Sequence, residues 1–150
     1  MKLTTWTADR PALAAVRRDV FVGEQRIPES LEWDDHDGRS VHALATDCSG
    51  APVGTARLLP DGRIGRMAVV AAWRGRGVGR ALLHALLREA GRRGDRECHL
   101  DAQVQAIGFY ERAGFRVHGP VFDDAGIPHR SMTLRLPPGS QSGAPDPGPA

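Results

Sequence analysis

Cysteine and aromatic residues are scarce in this chain of 150 residues. There are two cysteines, Cys48 and Cys98, and a single tyrosine, Tyr110. Two cysteines make no disulfide framework, and a reducing cytoplasm is the simplest setting for them. With aromatics at 5%, the arginines have too few rings between them to act as a stacking surface for nucleic acid. Charge of one sign is also lacking: 20 Lys and Arg against 18 Asp and Glu leave +2, too little to argue for a nucleic-acid partner. No apolar run approaches the ~20 residues of a membrane span. The start, Met1-Lys2-Leu3-Thr4-Thr5-Trp6, has no apolar run of signal-peptide length. Internal repeats are absent, and no metal site is expected. What remains is ordinary globular composition, 41% hydrophobic and 25% charged, with length enough for one domain and its core. Only the end departs from this. Pro137 to Ala150 is Pro, Gly, Ser and Ala with hardly any apolar bulk, so 1–136 is expected to be a single domain and 137–150 a disordered tail.

What is abundant is arginine and glycine, concentrated in Arg74-Gly75-Arg76-Gly77-Val78-Gly79-Arg80. The residues before it, Arg66 to Val70, read as a strand. Those after it, Val78 to about Gly91, read as an amphipathic helix, with Val78, Leu82, Leu83, Leu86 and Leu87 at core spacing. A glycine-rich turn from strand to helix is a place to hold a phosphate. Gly77 and Gly79 let a ligand approach the backbone, and the first helical amides lack partners and point outward. The helix dipole adds partial positive charge, and Arg74, Arg76 and Arg80 add full charges. A Walker A loop needs Lys followed by Ser or Thr, where this chain has Arg80-Ala81. The dinucleotide fingerprint needs G-x-G-x-x-G, whereas Gly75, Gly77 and Gly79 alternate.

Along the chain, Leu3 to Ala8 reads as a first strand. Asp9 and Pro11 start a helix that carries Leu13, Val16, Val20 and Phe21 and ends near Gly23. A polar loop, Gln25 to Arg39, holds Trp33 and the acids Glu29, Glu32, Asp34, Asp35 and Asp37; such a run attracts cations or is a solvated surface. Strands are expected over Ser40 to Thr46, with Val41, Ala43 and Ala45 on one face, over Pro52 to Leu59 and over Arg63 to Val70. After the long helix come a strand, Glu97 to Gln103, a short helix, Gln105 to Ala113, stopped by Gly114, and closing strands Phe115 to Phe122 and Ser131 to Leu136, joined by Asp123 to Pro128. The order β-α-β-β-β-α-β-α-β-β is a mixed α/β (α+β) domain. A largely antiparallel central sheet of six to seven strands, flanked by helices, is expected.

Two motifs in this order carry a resemblance. The form R-x-x-G-x-G, Arg74 to Gly79, between a strand and a helix, resembles the coenzyme A pyrophosphate loop of the GCN5-related N-acetyltransferases (GNAT). Phe109-Tyr110-Glu111-Arg112-Ala113-Gly114-Phe115 is similar to their C-terminal signature. Alone, the second stretch reads as core packing with a glycine C-cap. Val20-Phe21-Val22-Gly23-Glu24-Gln25-Arg26-Ile27-Pro28, then Glu32, Asp34 and Asp37, and also Asp101-Ala102-Gln103 and Gly126-Ile127-Pro128-His129, resemble the ElaA/YjcF-like branch. The resemblance spans Leu3 to Leu136.

It implies an acyl-CoA-dependent N-acyltransferase that moves an acetyl group from acetyl-CoA to a primary amine, by direct attack. The amine belongs to a small molecule or a protein. The resemblance sets Tyr110 near the thioester sulfur as general acid, and a phenol of pKa ~10 holds its proton at neutral pH. A backbone amide around Met67, Ala68 and Val69 faces the carbonyl, and Val69 with Val70 pairs the pantetheine arm like an added strand. The amides of Gly75 to Arg80, Val78 included, hold the pyrophosphate. Gln105, with Gln103 nearby, stands where many relatives carry an Asn that contacts the cosubstrate. Three residues are candidates for the base: Glu24 at the end of the first helix, Asp101 at the end of its strand, and His129, whose pKa range suits proton transfer. Each also has a plain structural reading, and a water chain serves equally. The loop Gln25 to Arg39 and the turn Asp123 to His129 are expected to shape the acceptor pocket. No membrane or nucleic-acid partner is expected, and a homodimer is an open option. Two other readings remain: a non-catalytic acyl-CoA-binding sensor or partner module, and an acyltransferase like the acyl-homoserine-lactone synthases, echoed by Val20-Phe21, Trp33, Asp34 and Asp37.

Overall fold

The computed structural model describes residues 1–27 and 35–137. Pro28, Glu29, Glu32, Trp33 and Asp34 of the acidic loop, and the expected tail beyond Pro137, lie outside them. Among the described residues the element order is the expected one: seven strands and three α-helices, linked by short 3-10 and π-helical turns. All paired strands among the described residues are antiparallel, and hydrogen bonding groups them as a four-stranded sheet in the order β1 (Lys2–Thr4), β2 (Val41–Thr46), β3 (Pro52–Leu58), β4 (Ile64–Val69), and a three-stranded sheet in the order β5 (Glu97–Gln103), β7 (Ile127–Arg135), β6 (Arg116–Asp124). Each sheet belongs to its own compact unit. The first comprises Met1–Pro60 with Ile64–Leu86, and the second Asp61–Arg63 with the residues from Leu87 onward.

The first unit opens with β1 (Lys2–Thr4) and α1 (Trp6–Arg17). The expected strand to Ala8 is cut short because Thr5 caps the helix, its Oγ1 accepting from the Ala8 amide at 3.1 Å. The helix is kinked at Asp9 (φ −131°), where Pro11 brings no amide hydrogen and its ring crowds the preceding turn. So Asp9 and Pro11 do begin a helical segment, but the second of two. A π-helical turn, Arg18–Glu24, follows, and β2 (Val41–Thr46), β3 (Pro52–Leu58) and β4 (Ile64–Val69) form the meander. Strand β2 lies between β1 and β3, and it is buried on both faces, from His42 to Ala45, instead of on one.

A buried polar cluster ties this unit together. Asp37 Oδ1 accepts from Arg17 Nη1 (2.7 Å) and Arg57 Nη1 (3.0 Å), and the Asp37 carbonyl faces His42 Nε2 at 3.0 Å. The Trp6 ring lies against both the Arg17 guanidinium (5.2 Å) and the His42 ring (5.6 Å). Asp37, read from sequence as part of a solvated or amine-attracting acidic run, is therefore buried under two arginines.

In the second unit, β5 (Glu97–Gln103) alternates, with Cys98, Leu100 and Ala102 buried. Helix α3 (Ile107–Arg112) ends at Gly114, which has φ +105°. The Phe115 amide donates to the Tyr110 carbonyl (3.2 Å) and the Gly114 amide to that of Glu111 (3.0 Å). This is the double bond pattern of a glycine-ended helix, with Phe115 packing on Tyr110 as the accompanying apolar contact. The closing hairpin is longer than expected: β6 is Arg116–Asp124 and β7 Ile127–Arg135. Ala125 (φ 53°) and Gly126 (φ 80°) alone make the turn, in the left-handed form that suits a two-residue hairpin loop. The Asp123 to His129 segment, expected as a pocket-shaping loop, is thus mostly strand.

Candidate active site

The glycine-rich loop sits between β4 and helix α2 (Val78–Arg92). Strand β4 carries one extra residue relative to β3 between the pairs Thr55↔Ala68 and Arg57↔Gly65, and Arg66 within that bulge has φ 48°. A bulge of this sort bends the strand and re-aims its outgoing end. Past the bulge, Val69 pairs with Gly54, and the Val70 amide donates to the Val53 carbonyl at 3.0 Å. Alternation turns the peptide groups of Val69 to the outer edge, where its carbonyl accepts from Arg74 Nε at 2.9 Å. Ala68 is buried, in a cluster with Val16, Val20 and Phe21.

A 3-10 turn, Ala71–Trp73, carries the chain to Gly75 (φ +73°) and Gly77 (φ +84°). These are left-handed conformations that favour glycine, and a Cβ on either would meet nothing within 4 Å. The backbone is bare and open there. The first helical bond of α2 runs from the Ala81 amide to the Gly77 carbonyl (3.0 Å). The amides of Val78, Gly79 and Arg80 therefore have no acceptor inside the helix. Gly54 sets how close α2 lies to β3, since a Cβ there would come within 2.8 Å of Val78 Cγ1 and 3.0 Å of Leu82 Cδ1.

The three arginines of the loop differ. Arg76 stacks on Trp73, 4.1 Å from the ring centroid, and Arg80 is exposed. Arg74 is bound by Glu24: Nη1 donates to Oε2 (2.5 Å) and Nη2 to Oε1 (2.6 Å). Those hydrogen bonds hold the Glu24 carboxyl below the ordinary glutamate value and raise Arg74 in turn.

The other site residues lie in the second unit. Tyr110 on α3 is half-buried, edge-on to Phe109 (5.0 Å) and Phe115 (6.0 Å), and burial pushes its phenol up to about 12. Asp101 accepts from Arg63 and from Ser131 Oγ (2.9 Å), and lines an open concavity of about 360 Å³ with Arg63, His99, His118, Ser131 and Thr133. His129 Nδ1 donates to the Ile127 carbonyl (2.7 Å), and its ring stacks on Phe122 at 5.9 Å; that bond leaves Nε2 as the basic nitrogen. Asp101 pairs with Ser131 and His129 with Gln103, so Asp101 and His129 are diagonal neighbours on one face of the sheet. Gln105 Nε2 donates to Gln103 Oε1 at 2.7 Å. Of the sequence-named residues, the structure joins Glu24, Arg74 and Val69 in one group and sets Asp101 beside His129.

Sequence reasoning missed the buried Arg17–Asp37–Arg57–His42 cluster and the bulge at Arg66. It also missed Gly54, although a lone glycine inside a strand does signal close approach of another element.

Comparison with known proteins identifies the family to which this fold belongs. The family described as "Acetyltransferase (GNAT) domain" matches residues 10–136. The chain belongs to this family. An N-acetyltransferase of Bacillus subtilis, YjcF, is 39% identical over 121 residues, covering 78% of this chain and 86% of that protein. The crystal structure of Escherichia coli ElaA superposes with a TM-score of 0.80 at 28% identity, covering 89% of this chain and 97% of the other. An acyl-CoA N-acyltransferase from Pseudomonas aeruginosa gives 0.79 at 30% identity, with the same coverage of 89% and 97%. This GNAT-family protein is an acyltransferase enzyme, and its fold implies an acyl-CoA cosubstrate. Among the described residues no helix is long and apolar enough to cross a membrane, and no group of side chains is disposed to hold a metal.

Proposed function

We propose that the protein transfers an acetyl group from acetyl-CoA to a primary amine of a small molecule. The observation that carries the reading is the start of α2. Two open, left-handed glycines lead into three helical amides without intrahelical acceptors, an anion cradle made of backbone. Gly75 to Arg80 receive the pyrophosphate, with Arg76 and Arg80 adding charge. The outward edge of β4 at Met67 and Val69 lies alongside the pantetheine arm. Acetyl-CoA supplies the activated acyl thioester. The chain supplies position, a donor for the developing sulfur charge at Tyr110, and a proton acceptor for the amine. His129 Nε2 suits that last task better than Glu24 or Asp101, whose carboxylates are held by arginines. Gln105, whose side-chain amide donates to Gln103, is the residue proposed to contact the cosubstrate.

Thermal unfolding with acetyl-CoA tests this, with S-adenosylmethionine as the control for a lactone-synthase reading. Ligand at a hundred times its dissociation constant adds ~2.7 kcal/mol to the folded state, or ~5–10 °C in Tm for a chain of this length. The rise is expected with acetyl-CoA alone and lost in Gly77→Glu. No rise with acetyl-CoA refutes the cosubstrate assignment; binding without turnover across an amine panel favours a sensor.

A further inference from the structure

We propose that Glu24 is a positioning residue for acyl-CoA binding and not the base: its carboxylate, gripping Arg74, holds the turn between β4 and α2 in the shape that receives the pyrophosphate. The proposal rests on the reading that acetyl-CoA binds at the start of α2.

The geometry is that of a clasp with both ends anchored. Glu24 is the last residue of the π-helical turn, whose Val20 and Phe21 pack with Ala68 of β4 and against Ile27 and Val70. Arg74 is the first residue after the 3-10 turn that leaves β4. Its fork meets both carboxylate oxygens, at 2.5 and 2.6 Å, while Nε reaches back to the Val69 carbonyl at 2.9 Å. Three of its five donors are thereby engaged, and the two-nitrogen edge that would clamp a phosphate is the one turned to Glu24. Anion binding is left to the amides of Val78 to Arg80 and to Arg76 and Arg80. A carboxylate beside a pyrophosphate site is unfavourable unless its charge is neutralised, and here Arg74 neutralises it. As a base it is poorly placed, because protonating it breaks two charge-assisted bonds. The pair is half-exposed, 44% on each side chain, so the effect on affinity is moderate.

The test uses Glu24→Gln, Arg74→Gln and the double variant in the full chain. Acetyl-CoA Kd is measured by calorimetry, and kcat against pH with an amine found in the panel. Each single variant is expected to weaken acetyl-CoA ~3- to 10-fold, and the double no further, because the two side chains act as one unit. The kcat at saturating acetyl-CoA should stay within ~2-fold of wild type, with its acid limb unmoved. A fall in kcat of ~100-fold with the acid limb lost in Glu24→Gln makes Glu24 the base and overturns the proposal. Tighter binding in Glu24→Gln overturns it too, because Glu24 would then be competing with phosphate for Arg74. Unchanged affinity in folded variants, checked by unliganded Tm, overturns it as well. Should Glu24→Gln fail to fold, Arg74→Lys serves: it keeps the charge, loses the fork, and must weaken binding by a similar factor. A wild type that binds no acetyl-CoA sinks the underlying assignment, and is seen before any variant is made.

Discussion

Removing the Tyr110 hydroxyl separates binding from chemistry. Burial pushes this phenol up to about 12, two units above its ordinary value, so it stays protonated throughout the working range. Full proton transfer from such a phenol to a free thiolate of pKa ~8.5 would be uphill by several kcal/mol, at ~1.36 kcal/mol per pKa unit. In the proposed reaction Tyr110 would therefore donate a hydrogen bond that strengthens as charge grows on sulfur, without handing over its proton beforehand. For Tyr110→Phe we expect kcat to fall ~100-fold or more while acetyl-CoA Kd stays within ~3-fold of wild type, since Phe preserves the edge-on packing with Phe109 and Phe115. The pKa itself is directly measurable, because the chain has one tyrosine and phenolate absorbance reports Tyr110 alone. The midpoint should lie near 12 in the folded protein and near ~10 in denaturant. The folded pKa is the raised one, so the stabilisation is complete below pH ~10 and is lost as pH rises towards 12, by ~2–3 kcal/mol in all. A native midpoint near 10, or a descending limb of kcat/KM near that pH which vanishes in Tyr110→Phe, refutes the burial argument. Unchanged turnover removes Tyr110 from the chemistry.

Other perturbations address the scaffold. Gly54→Ala drives a Cβ to 2.8 Å from Val78 Cγ1; overpacking of this kind costs ~1–3 kcal/mol, and the lower Tm should come with weaker acetyl-CoA binding because the start of α2 moves. Thiol titration of the native protein should find one fast group, exposed Cys48, while Cys98, buried and pushed up to about 11, reacts only in denaturant. Burial, with help from Arg17 and Arg57, lowers His42 below the ordinary histidine value, against the opposing effect of Asp37. The stability it contributes is therefore present above pH ~6.5 and lost as pH falls through the lower folded value, and Tm in His42→Gln should vary less over that range.

The order of elements was legible because its signals are local. Hydrophobic period, Pro60-Asp61-Gly62 and the glycine stops mark strands and helices to within a few residues, and β5 was read at its true bounds, Glu97–Gln103. The two motifs were legible for the same reason, each being a turn or cap with a residue requirement of its own. Gly77 needs a positive φ, and Gly114 ends a helix whose bonds require one. What stayed hidden depends on pairs far apart in sequence. Nothing near Asp37 announces that Arg17 and Arg57 converge on it, twenty residues away on either side. Nothing near Glu24 names Arg74, fifty residues on. Charged residues of this sort read as surface until a partner removes them from water.

That contrast bears on how the R-x-x-G-x-G loop works. Its glycines leave backbone bare for a ligand, whereas its leading arginine is turned back to Glu24 and the Val69 carbonyl. An anion site built from peptide amides needs the backbone held still, because amides that must reorganise to meet a charge lose much of their advantage. On the proposed reading, the bulge at Arg66, the close approach allowed by Gly54 and the clasp on Arg74 would each fix one part of that backbone: the strand leading in, the helix leading out and the turn between them. Arginine in the first position of the motif is then explained by its planar fork, which grips a carboxylate and a carbonyl together. Lysine carries the same charge but lacks the planar fork that meets both carboxylate oxygens while Nε reaches the carbonyl, so it is the substitution that separates charge from geometry.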